Sequence, residues 1–204
     1  TTLYKPTSAP MEVEAASFPE LQDAISQAAD SGAALTVELL ADMAVTETLV
    51  VQSQVALHSR EGAILTGGGS TRLFQVRPSG RLSAANITLE GGYSSTISGG
   101  AVYNSGATSL KNCVLVDNSA ASNGGAVSTS NGAAMDLKHC TLMHNSASVY
   151  GGACFNSGGT MRLNDCTVAH NVAAGYGGSI FNNNGAVMEL CTCTLNGNSA
   201  ESGG

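Results

Sequence analysis

Apolar and polar residues alternate along this chain in short bursts, and the bursts are separated by clusters of Gly, Asn and Ser. Period-two alternation between turn-forming residues predicts short β-strands. In the first half, strands are expected over 36–40, 48–51, 55–58 and 63–65. One segment has a different period. Ser17-Phe18-Pro19-Glu20 has the form of a capping box with proline near the first helical position, and Leu21, Ile25 and Ala28 follow at helical spacing. A short amphipathic helix is therefore expected over about 18–30, covering an otherwise unpaired strand edge.

Beyond residue 98 the alternation becomes periodic. Gly-Gly pairs begin at Gly99, Gly124, Gly151, Gly177 and Gly203, at intervals of 25, 27, 26 and 26 residues. Each complete unit runs through a turn into Leu-x-x-Cys, at Leu110/Cys113, Leu137/Cys140, Leu163/Cys166 and Leu190/Cys193. Five residues after each of these cysteines stands an asparagine: Asn118, Asn145, Asn171 and Asn198. Gly and Asn disfavour helix interiors, so the unit reads as about three short strands and their turns. That is one coil of a parallel β-solenoid of about 26 residues per coil.

Stacked coils turn spacings into columns. Val102, Val127, Cys154 and Ile180 form an apolar, inward column, and Met135, Met161 and Met188 form a second that Thr108 continues. The cysteines form a third, and the asparagines a ladder in which each amide bonds to its neighbours above and below. The Gly pairs are expected at corners with positive φ or close backbone approach. Three parts follow: an N-terminal extension (1–16), a capping helix with two imperfect coils (17–98) and four regular coils (99–204) whose last has nothing to cap it. The chain then reads as a fragment of a longer solenoid, or as one that docks a stacking partner at that end.

Composition fits this picture. Only 11% of residues are charged and 4% aromatic, against 25 glycines. Residues 91–204 hold 19 of those glycines but only 8 of the 23 charges. A net charge of −7 without basic patches argues against nucleic acid, and no apolar run reaches the roughly 20 residues of a membrane-spanning helix.

The repeats resemble those of the polymorphic outer membrane proteins of chlamydiae. The resemblance rests on Gly-Gly-Ala-Val and its variants, followed by Leu115-Val116-Asp117-Asn118, Leu142-Met143-His144-Asn145, Val168-Ala169-His170-Asn171 and Leu195-Asn196-Gly197-Asn198. It covers about 99–204, and all four copies have Leu or Val where that family has Phe. The resemblance implies an all-β, right-handed parallel β-helix and a secreted or cell-surface, adhesin-like structural protein. It carries no catalytic site.

Candidate chemistry is sparse. The cysteine column reads as buried free thiols acting as small hydrophobes, with disulfides between in-register neighbours or a zinc site as alternatives. Asp117, His144 and His170 share a column that can offer a transition metal two imidazoles and a carboxylate, or are solvated corner residues. His139 and Asp165 share another. Tyr103, Phe155 and Phe181 form a mostly aromatic column, suited either to a carbohydrate or protein ligand or to corner packing. Asn86-Ile87-Thr88 is a glycosylation sequon with Asn86 facing outward. Arg60, Arg72, Arg77 and Arg81 can contact an acidic glycan or serve only as solubilising side chains. The carboxylates Asp136 and Glu189 share a column with Arg162 between them, unlike the paired carboxylates of polysaccharide-active enzymes. A non-catalytic binding or structural domain without a cofactor is the leading expectation; a pectate-lyase-like enzyme and a scaffold subunit of a larger assembly are the alternatives.

Overall fold

Alternation and turn chemistry together wind the chain into an all-β parallel solenoid of about 7 turns with one short helix near the N-terminus. A computed structural model describes residues 9–130 and 132–203. Residues 1–8 of the expected extension and the second glycine of the last pair, Gly204, lie outside the described residues.

The helix spans Phe18–Ser31, one residue longer than expected, and ends at Gly32 in the left-handed conformation. Glu20 closes the capping box by accepting from the backbone nitrogens of Ala16 and Ser17. Those bonds favour the charged carboxylate and hold its pKa low, the Ala16 bond most of all. Phe18, Leu21, Ala24, Ile25 and Ala28 are buried against the first strands, so the helix covers the open end of the core.

Four parallel sheets of eight, seven, six and five strands run the length of the solenoid. A regular coil therefore has four strands, not three: in the first, Val102–Asn104, Ala107–Lys111, Val114–Val116 and Ser119–Ala120. Between Leu110 and Leu115 the backbone turns at Asn112, whose φ is 52°, so Ala107–Lys111 and Val114–Val116 are separate strands. The fourth strand follows the ladder asparagine and places Ala120 in the interior. Met11–Ala15, read as part of an extension, is a strand paired with Leu35–Leu39. Its Met11, Val13, Ala15 alternation is the reason, because these side chains pack towards the core. Leu35–Leu39, Gln54–His58 and Arg81–Ala85 all precede Ala107–Lys111 in the eight-stranded sheet, so three early coils stand where two were expected.

The columns stack in register. Thr108, Met135, Met161 and Met188 pair in succession, as do Val102, Val127, Cys154 and Ile180. The two glycines of a corner differ in duty. Gly124 needs the left-handed region, with φ 61°, while Gly125 has Gly152 and Ser146 carbonyl oxygens 2.3 and 2.4 Å from where a Cβ would lie. Any side chain at Gly125 would force two coils apart.

The asparagine ladder fills its column. The Nδ2 of Asn118 donates to Asn145 Oδ1 at 3.0 Å, Asn145 to Asn171 at 2.9 Å, and Asn171 to Asn198 at 2.9 Å. Each Nδ2 also donates to a carbonyl of the preceding coil, and each Oδ1 also accepts a backbone N–H. Asn118, Asn145 and Asn171 are completely buried, and the ladder leaves none of their amide groups unpaired.

A second amide column, not anticipated from sequence, is incomplete. Asn104, Thr129, Asn156 and Asn182 are register partners, and Asn156 Nδ2 donates to Asn182 Oδ1 at 2.9 Å. Among the described residues the buried Oδ1 of Asn156 has no partner, because Thr129 occupies the coil that should donate to it and turns its hydroxyl to Met135 Sδ. Thr129→Asn is expected to complete the column and raise stability by about 1 kcal/mol, read as a higher denaturant midpoint at unchanged slope.

Candidate functional site

Two corners of each coil are built from left-handed residues. Asp117, His144 and His170 have φ of 54–55° and Gly197 61°; Asn112, His139, Asp165 and Thr192 have φ of 52–54°. Asn, Asp, His and Gly are the residues that tolerate this region best. The sequence pairing of histidines with aspartates thus has a backbone cause: each corner position selects from the same short set. Thr192, β-branched, is the strained member.

The first column sets its two imidazoles face to face. The His144 and His170 rings stack at 5.5 Å between centroids and 16° between planes. Parallel rings one coil apart do not aim their nitrogens at a common point. The last member leaves no side chain at all: His170 Nδ1 lies 2.5 Å from where a Cβ on Gly197 would stand. Among the described residues, no group of three or more His, Cys, Asp or Glu side chains is placed to hold a metal ion. In the second column, His139 Nδ1 is 3.7 Å from Asp165 Oδ2, a solvated pair.

The cysteine column is a stack of free thiols. Cys113, Cys140 and Cys166 are buried, Cys193 is half-buried at the end, and each Sγ lies within reach of a carbonyl one coil back: Ala84, Leu110, Leu137 and Leu163. Contact with Cys113 and Cys166 pushes the middle thiol, Cys140, well above the ordinary range, and burial does the same for Cys154. Such groups are inert as nucleophiles. Cys191 alone is exposed.

The aromatic column is a packed corner with an exposed rim. Phe155 is buried, and Phe181 stacks 6.1 Å from it. Two rings missed from sequence complete the cluster: Tyr150 lies 4.5 Å from Phe181, and Tyr176 lies 5.7 Å from Tyr150. Both stand just before a Gly-Gly corner, Tyr176 at the end of the strand Val172–Tyr176 and Tyr150 bridged to it, and only their recurrence at a 26-residue interval hinted at a shared column. Tyr176 is 52% exposed. Tyr103 has Gln75 and Ser128 as its register neighbours and lies under Arg72, whose guanidinium carbon is 5.5 Å from the ring centroid.

The remaining candidates separate. Asn86 is exposed, but it is itself a corner residue with φ 56°, and its Nδ2, the atom a glycan would take, donates to Ser59 O at 2.6 Å. Arg60 pairs with Glu38 at 2.9 Å, and Arg77 and Arg81 are exposed. Arg162 lies 2.7 Å from Glu189 and 3.8 Å from Asp136, so that column is an ion-paired surface ladder. On the last described coil, Val187, Leu190 and Leu195 are nearly half exposed. Among the described residues no helix is long and apolar enough to cross a membrane.

Residues 72–203 match the family described as a right handed beta helix region, and the chain belongs to that family. No curated protein and no solved structure matches it. The match fixes the hand of the solenoid and takes in all four regular coils together with part of the early ones.

The thiol arrangement is open to direct titration. With an aromatic disulfide reagent, Cys191 is expected to react promptly, Cys193 more slowly, and the four buried thiols only after denaturation.

Proposed function

We propose that this right-handed β-helix is a non-catalytic, adhesin-like binding domain of a surface or extracellular protein, with the Tyr150–Tyr176–Phe181 shelf as its contact surface. The carrying observation is the half-exposed Tyr176 ring resting on stacked rings beneath it. Rigid tyrosines present large amphipathic area at small entropic cost, which is why they are enriched where proteins meet partners. The shelf sits on coils locked by the asparagine ladder, so its geometry is set before a ligand arrives. The resemblance of the repeats to those of the chlamydial polymorphic outer membrane proteins supports the same reading. A carbohydrate-active enzyme is the weaker reading, because Asp136 and Glu189 are both engaged by Arg162.

Microspheres coated with the domain are expected to be retained on cultured cells or on immobilised glycans and matrix proteins. Replacing both Tyr150 and Tyr176 by Ala should cut retention about tenfold. Equal retention by the variant, or release of reducing ends from acidic polysaccharides, would overturn the proposal.

A further inference from the structure

Four coils back along the same corner, roughly 19 Å at about 4.8 Å per coil, Arg72 sits in a groove of about 330 Å3. Its Nε donates to Gly99 O at 2.9 Å, and its Nη2 to Ser94 Oγ at 2.5 Å and Ser98 O at 3.2 Å. Every one of these acceptors is neutral. Arg72 takes part in none of the ion pairs among the described residues, and its Nη1 donates to none of them. Tyr103 covers one face of the guanidinium. Burial pulls the Arg72 pKa below its usual value, which is the direction expected for a cation without a counter-charge.

Ser94 adds a second unspent donor. It is 4% exposed, lines the groove, and its Oγ accepts from both Arg72 Nη2 and Ile97 N. Its own O–H therefore has no acceptor among the described residues. A buried hydroxyl proton beside a guanidinium edge invites an anionic oxygen, since unpaired buried donors are costly. Three successive coils contribute the walls, where the hydroxyls of Thr46, Ser95 and Thr96 make no hydrogen bonds to described residues. Glu47 stands at the rim and accepts from Gln22 Nε2 at 2.6 Å.

We infer that this groove binds a carboxylated sugar, its carboxylate on Arg72 and Ser94 and its hydroxyls on the threonine and serine walls and on Glu47. Nη1 of Arg72 and the hydroxyl of Ser94 can each donate to one oxygen of a carboxylate, and the bond from the guanidinium is charge-assisted. A hydroxyl-lined wall with one carboxylate acceptor matches the several O–H groups of a monosaccharide, and the volume lies at the small end of the roughly 300–1,000 Å3 typical of ligand pockets. The site is separate from the tyrosine shelf and stands or falls independently of it.

The test is calorimetric titration of the whole domain with glucuronate and galacturonate, with glucose, galactose and inorganic sulfate as controls. At least one acid is expected to bind, with neither neutral sugar nor sulfate doing so. Arg72→Gln should weaken the acid about tenfold or more, as loss of a charge-assisted hydrogen bond does. Because Arg72 also braces the Ser94–Gly99 loop, Thr96→Val is the companion variant; its hydroxyl makes no bond to described residues, so the loop contacts stay intact and loss of a sugar contact should weaken the acid severalfold. Failure of both acids to bind, equal binding of neutral sugars or sulfate alone, or no change in both variants would overturn the inference. Tyr150→Ala/Tyr176→Ala should leave this titration unchanged.

Discussion

The fold depends on a buried amide column. A β-solenoid must turn its backbone inward at each corner, and every turn buries polar groups that water can no longer reach. Here the Asn118–Asn145–Asn171–Asn198 column satisfies them, each side chain bridging three successive coils. Each Nδ2 donates both to the next asparagine's Oδ1 and to a carbonyl of the preceding coil, so every coil is tied to the coils on both sides of it. That coupling keeps the coils in register and lets a nearly uncharged interior of Val, Leu, Met and Cys remain specific.

The other regularities follow from the same axis. A coil locked at its asparagine corner fixes where its neighbours' glycines lie, and Gly125 or Gly152 then has carbonyl oxygens closer than any side chain permits. Left-handed residues at the two remaining corners restrict those columns to Asn, Asp, His and Gly with one Thr. Surface chemistry is consequently a by-product of corner geometry in most places. Arg72 and Ser94 stand out because corner geometry does not account for their unspent donors.

Much of this was legible in the residues. Equal intervals between Gly-Gly, Leu-x-x-Cys and Asn dictated the regular coils, their register and the asparagine ladder. The early coils were harder to read because Leu35 pairs with Val55 only 20 residues on, and Val55 with Leu82. Without a constant interval, three coils looked like two. The break at Asn112 was hidden because Leu110 and Cys113 both face inward across it: two exposed residues, Lys111 and Asn112, stand where alternation has one. Tyr150 was missed because it precedes the strand Cys154–Ser157 and lies outside the named strands, meeting its neighbours only through an isolated bridge to Tyr176. Arg72 was grouped with other early arginines by sequence proximity, whereas its environment depends on Ser94, Gly99 and Tyr103 from the following coil.

The ladder's role is tested most directly by equilibrium unfolding of Asn145→Ala beside Asn198→Ala. Asn145→Ala removes bonds to Asn118, Leu115 and Asn171 inside the core, whereas Asn198 sits half-buried on the last described coil. A loss of at least about 3 kcal/mol at Asn145, and a clearly smaller one at Asn198, is predicted from the cost of orphaned buried polar groups. A change at Asn145 within about 0.5 kcal/mol, the range of ordinary surface substitutions, would contradict the account.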